Sequence, residues 1–257
     1  MAITYTSNNV NSGTSAVVSI QSGTLTISTN DIIVAMAVTE DNAYTGTFSI
    51  ANSGTAMSWT PIAITNTTGN CKVGTWWAKS AGNENRTVTV SWNGSSVCAM
   101  LSCRVHTGAD TTNPVPTGNV FSGVGATSKS QAIVPTASGS ALWMAVGDWS
   151  ATNTLAAAAN CTQEAFYHDA GVYDGAIERP TTNPRTDGNS FTIGETDTGG
   201  TIAWVAFEVQ ALAAAGGATF CEIVCEDCYC FFGWLTKGLK WLINGFMPHL
   251  YPAFRSH

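Results

Sequence analysis

Charge is scarce in this chain. Asp, Glu, Lys and Arg make up 11% of its 257 residues, well under the roughly 25% of an ordinary globular domain. What charge exists is mostly negative: the first 212 residues hold seven Lys and Arg against fourteen Asp and Glu, and the last 45 hold three of each. With no basic cluster to neutralise phosphates, nucleic-acid binding is excluded as a main role. No run of 18 apolar residues occurs, so no conventional membrane span is expected. The first residues, MAITYTSNNVNSG, have neither a basic segment nor an apolar one behind it, so no secretory leader is expected there. Alternation of strands with long amphipathic helices is also missing, which argues against the nucleotide-binding α/β folds.

Catalytic signatures are equally thin. His106 and His168 stand near Asp110, Glu164 and Asp169 in sequence, but no Gly-x-Ser-x-Gly elbow supplies a nucleophile. Glu178 with Asp174 or Asp187 could pose as a glycosidase pair, yet loop carboxylates ordinarily cap turns. The chain is therefore expected not to be an enzyme and to need no cofactor.

What the chain does have is period-two patterning between Gly, Asn and Ser turns. Val88, Val90 and Trp92 alternate with Thr87, Thr89 and Ser91, the mark of a half-buried strand. Arg86 to Val105 reads as a hairpin about Asn93-Gly94. Asp31 opens the run DIIVAMAV, and Met100-Leu101 breaks strict alternation, as strands covered on both faces do. TLAAAAN (154–160) is the only helix-prone piece of the body, and 166–178 reads as a second hairpin. About a dozen strands with regular turn signals predict an all-β, jelly-roll-like sandwich over residues 1–212. AAAGG (213–217) is a small-residue joint, and 218–257 is a Cys-rich, partly helical, hydrophobic tail.

Certain segments recur in a fixed order: Asn30-Asp31-Ile32-Ile33-Val34-Ala35, Ser58-Trp59-Thr60 and Trp76-Trp77-Ala78-Lys79. Then come the stretch from Ser102 through Arg104-Val105, Asp110 and Asn113-Pro114-Val115, the strand Ser140 to Ala145, and Ala203-Trp204 to Leu212. Over roughly residues 20–212 this order resembles the jelly-roll domain of tailed-bacteriophage virion proteins of the tail-fibre or decoration type, with Cys103 standing where that pattern has an aromatic. The resemblance implies a virion structural protein rather than an enzyme, made in the host cytoplasm. It does not reach the tail.

In the tail, Phe231, Trp234, Leu235, Leu239, Trp241, Leu242 and Phe246 fall at helical spacing, and such a face needs a partner surface. Docking onto other virion proteins and assembly as a trimer or dimer are expected from it; an interfacial helix with Lys237 and Lys240 at lipid headgroups is the rival reading. Cys221, Cys225, Cys228 and Cys230 crowd into ten residues. They are candidates for two disulfides, for free thiols in an apolar contact, or more weakly for zinc, whose knuckle pairs are usually spaced further apart. In the body, Cys98 and Cys103 point to opposite faces, while Cys71 with Cys98 or Cys161 stays open as a pair. Tyr44, Trp149, Tyr167 and Tyr173, beside Asp41, Asp148, Asp169 and Asp174, are the candidates for stacking a host surface glycan, and the same acids for calcium. A carbohydrate-binding adhesin is thus the alternative function.

Overall fold

The computed structural model describes residues 2–12, 17–40, 47–67, 71–96, 98–125, 128–148, 155–169, 173–197 and 201–213. Within them the regular structure is all strand except one 3-10 turn at Thr117–Asn119, as the period-two patterning predicts. The first half holds β1 (Thr4–Asn11), β2 (Val17–Gln21), β3 (Leu25–Ile27), β4 (Ile32–Glu40), β5 (Phe48–Asn52), β6 (Thr60–Thr67), β7 (Cys71–Lys79), β8 (Glu84–Arg86), β9 (Val88–Ser96) and β10 (Ala99–Thr107). The second holds β11 (Val120–Gly125), β12 (Lys129–Ile133), β13 (Ala141–Asp148), β14 (Ala156–Ala157), β15 (Cys161–Asp169), β16 (Tyr173–Pro180), β17 (Phe191–Thr196) and β18 (Ile202–Val209).

The two halves repeat one topology. The first builds a five-stranded sheet β1-β10-β4-β7-β6 over a three-stranded sheet β2-β9-β5, with β3 and β8 as a separate ribbon. The second builds β11-β18-β13-β16-β15 over β12-β17-β14. Counting the eight sheet-forming strands of each half in chain order, both read 1-8-3-6-5 over 2-7-4, with every pairing antiparallel. That is a jelly-roll-like order. Even an irregularity repeats, because the fifth strand slips register between Pro61 and Ala63 in β6 and between Gln163 and Ala165 in β15. The all-β sandwich expected from the sequence is present, and it is present twice.

Three apolar clusters show how the sheets stack. Val34, Met36, Val38 and Val73 pack against Trp143, Ala145, Ile177, Val205 and Phe207, so the two five-stranded sheets lie face to face. Ile33, Ala35, Ala37 and Trp76 meet Ile20, Val88, Val90 and Trp92 of the first covering sheet. Leu142, Met144, Val146 and Trp204 meet Ile133 and Ile193 of the second. Four layers result. β4, β13 and β18 are buried along their whole length, which is why their sequences run apolar instead of alternating. Close approach of the central sheets needs a glycine: a Cβ on Gly147 would lie 2.1 Å from the Cys71 sulfur and 2.5 Å from Val38 Cγ1.

Two local expectations fail. Arg86 to Val105 is not a hairpin, because β9 joins the covering sheet while β10 joins the central one; the turn at Asn93-Gly94 lies inside β9, and the chain changes layer after it. TLAAAAN is not helical over its described part, since Ala156 and Ala157 pair with β17; packing of Leu155 into the core overrides alanine's local preference. The 166–178 hairpin is present as β15 and β16.

Met1–Ala213 forms one compact unit and Ala214–His257 falls in a second. The expected docking residues Phe231, Trp234, Leu235, Leu239, Trp241, Leu242 and Phe246, and the cysteines Cys221, Cys225, Cys228 and Cys230, lie outside the described residues.

Candidate functional site

The layer between β13, β16, β18 and the second covering sheet carries acids where a sandwich core should be apolar. Period two puts Asp174, Ala176 and Glu178 on one face of β16, and Ile193, Glu195 and then Asp197 on one face of β17. All four acids are buried, Glu178 at 0% and Glu195 at 1% exposure. Asp148 closes the same face of β13 and pairs in register with Asp174.

Glu178 and Glu195 meet across the layer, within hydrogen-bond reach of each other. The Gln163 amide donates to Glu195 Oε1 at 3.2 Å and to the Leu155 carbonyl at 3.1 Å. The Gln163 amide also bears on Glu178 and lowers its carboxyl, but neither oxygen of Glu178, nor Oε2 of Glu195, receives a hydrogen bond of normal geometry. An ionised carboxylate only accepts, so two of them can share a contact only if one keeps a proton. Burial raises both carboxyls well above the usual carboxylate range, and Glu195 is raised further by the charges of Glu178 and Asp197. Two like charges in one dry site cannot both ionise cheaply.

The first sandwich shows what the fold itself requires at these positions. Glu178 pairs with Gln163, the last residue before the register slip in β15, and Trp76 pairs with Pro61, the last residue before the slip in β6. The first copy therefore has Trp76 where the second has Glu178, with its ring edge-on to Phe48 at 5.5 Å. The second places a glutamate there, with Gln163 and a further glutamate against it. Packing alone does not explain Glu178.

At the open side of the layer His168 is hydrogen-bonded through Nδ1 to Asp174, whose other oxygen accepts the Leu155 N–H at 3.4 Å. Burial raises the Asp174 carboxyl, against the lowering effect of His168. A second polar group lies between the two sandwiches. The His106 Nδ1 faces the Ile32 carbonyl at 3.3 Å and Nε2 accepts the Trp143 indole N–H at 3.0 Å. That pattern fixes the tautomer, with the proton on Nδ1. Arg104 beside it is fully buried over the Trp143 ring and donates to Asn9 Oδ1 at 2.8 Å. These groups knit the sandwiches together.

The sequence-derived sites are distributed differently. Tyr173 is fully buried in the central core and offers no face to a sugar; this corrects its placement beside a loop. Tyr167 packs half-buried against it, ring centroids 6.1 Å apart. Tyr44, Trp149 and Asp41 fall outside the described residues. The catalytic pairings are not assembled by the hydrogen bonds: Asp187 pairs with Arg185 at 2.7 Å and Glu164 with Arg179, while Glu178 meets Glu195. No disulfide joins Cys71 to Cys98 or to Cys161, so neither body pairing left open by the sequence forms.

Glu195 is the residue sequence reading overlooks. The alternation Ile193, Glu195, Asp197 was the available signal, since it places acids on the same face as a core isoleucine. The aromatic surface that does exist is also elsewhere. A cleft of about 320 Å³ is lined by Met57, Ser58, Thr60, half-buried Trp77, exposed Lys79 and Arg86. Among the described residues, no three His, Cys, Asp or Glu side chains gather as a metal-ligand group, and no helix is long and apolar enough to cross a membrane.

Searches with this chain matched no protein-family model, no curated protein and no solved structure.

Proposed function

We propose that the chain is a structural protein of a tailed-phage particle, with residues 1–213 as a rigid outward block and residues 218–257 as its docking segment. One observation carries the reading. The motifs that resemble phage virion jelly rolls fall mostly on β4, β7, β10, β13 and β18, with Ser58-Trp59-Thr60 leading into β6, and their side chains contribute to the cores within and between the two sandwiches. The resembling residues are thus those that make a four-layered block, a shape suited to projecting from a particle. Burial of several tail aromatics against neighbouring subunits would contribute about 1.5–3 kcal/mol each. Peptide mass spectrometry of purified, disrupted particles tests this: the chain is expected at a fixed copy number per particle, and recovery only in the soluble lysate would contradict it.

The Trp77 cleft favours a second reading, host-glycan binding. A half-exposed indole beside Lys79 and the hydroxyls of Ser58 and Thr60 suits an acidic saccharide, whose ring stacks while its carboxylate meets the ammonium. On an array of acidic glycans, binding by the parent chain and its loss in Trp77→Ala would support this reading. Equal signals from both would remove it.

A further inference from the structure

We propose that Glu178, Glu195, the Gln163 amide and the Leu155 carbonyl form a binding site for a divalent cation of the calcium class in the second sandwich. The site is built only of oxygens once the Gln163 side chain turns its carbonyl inward: two carboxylates from facing sheets, one amide and one main-chain carbonyl. Hard cations of this kind take six to eight oxygen ligands, with carboxylates counted once or twice.

Three observations point there. Glu178 is completely buried, and although the Gln163 amide lies near it, neither of its oxygens receives a hydrogen bond of normal geometry. An orphaned buried carboxylate calls for a proton, water or ion to satisfy it. Next, the groups that bear electrostatically on Glu195 are Glu178 and Asp197, with no cationic side chain among them. A 2+ ion would neutralise the ionised pair, whereas a shared proton leaves one of its carboxylates charged and dry. The third is the comparison between sandwiches, since Trp76 holds the position of Glu178 in the first copy. The fold is satisfied by an apolar residue there, so Glu178 answers to something other than packing.

The site also has an anchoring consequence. Glu178 lies on the central sheet, Glu195 on the covering sheet, and Leu155 at the entry to β14, so a bound ion would tie the covering sheet to the block. Asp197 continues the acidic row from Glu195 toward Asp174 and would favour entry of a cation from that end.

The test uses the full chain, stripped with EDTA and then titrated with calcium chloride in a calorimeter at pH 7.5, with magnesium chloride in parallel. Saturable uptake of about one calcium ion is expected, with a rise of several degrees in melting temperature at saturation and weaker uptake of the smaller magnesium ion. Glu195→Gln, which keeps the volume and can hydrogen-bond Glu178, is expected to fold and to lose calcium uptake at least tenfold. Absence of heat and of any melting shift at about 10 mM calcium, above the weakest class of protein calcium sites, would overturn the site and leave the pair holding a proton. Undiminished uptake by a folded Glu195→Gln would overturn it equally, by placing the ion elsewhere. If that variant does not fold, the parent titration alone decides.

Discussion

Trp143 of the second sandwich donates its indole N–H to His106 Nε2 of the first at 3.0 Å, inside a contact from which water is excluded. Burial holds the imidazole neutral, pushing its pKa from 6.5 down to about 3, with Arg104 lowering it further and the Ile32 carbonyl opposing. The unfolded chain binds a proton at this residue below about pH 6.5 and the folded chain does not, so the residue's contribution to stability falls as pH falls through that window.

Glu178 and Glu195 act in the opposite sense, because their raised values make the folded chain bind protons more readily than the unfolded one. The histidine effect is therefore read from a comparison, made with cations chelated. Relative to the parent, His106→Gln should be less stable at pH 7.5 and gain by up to about 1.4 kcal/mol per pH unit below 6.5. Denaturant midpoints between pH 7.5 and 5 check this; parallel profiles for the two proteins would refute it.

Gly147 sits where the central sheets touch. Gly147→Ala forces a Cβ against the Cys71 sulfur and the branched Val38, neither of which has room to retreat. A loss of about 1–3 kcal/mol is expected, seen as a melting temperature lower by several degrees. Gly82→Ala, with nothing within 4 Å, is the control and should stay within about 0.5 kcal/mol. Equal melting of Gly147→Ala and parent would mean the sheets are not packed this closely.

Three of the four body thiols should be inert. Cys71, Cys98 and Cys103 are fully buried, and burial pushes the Cys103 thiol up to about 12, far from the thiolate that alkylating reagents attack. Brief iodoacetamide treatment of the native chain, followed by peptide mapping, should leave these three unmodified and label them fully after unfolding. Rapid native labelling of Cys103 would contradict its position between the layers.

Much of the fold was legible because strand alternation is local. Ile32–Val38 announced a strand covered on both faces, and the turn residues marked the ends of most others. The duplication was not legible, since the halves share strand order and a register slip but not side chains: Trp76 answers to Glu178. The error over Arg86 to Val105 has the same root, because a turn signal reports a change of direction and not whether the chain stays in its sheet. For the site, Glu178 was in view but matched to the wrong acids, since nothing in sequence spacing brings β16 and β17 into register across a layer. Tyr173 was misplaced because a tyrosine next to Gly171 and Asp174 reads as a turn, whereas β16 begins at that residue with its ring turned inward.

The proposed division of labour between the block and the tail is open to a direct test. The direct measurement is the mass in solution of the full chain beside a version ending at Ala213, by light scattering during gel filtration. A defined oligomer for the full chain and a folded monomer for the shortened one is the predicted result. Two monomers of equal solubility would contradict it, and would mean that the last 44 residues do not assemble the particle.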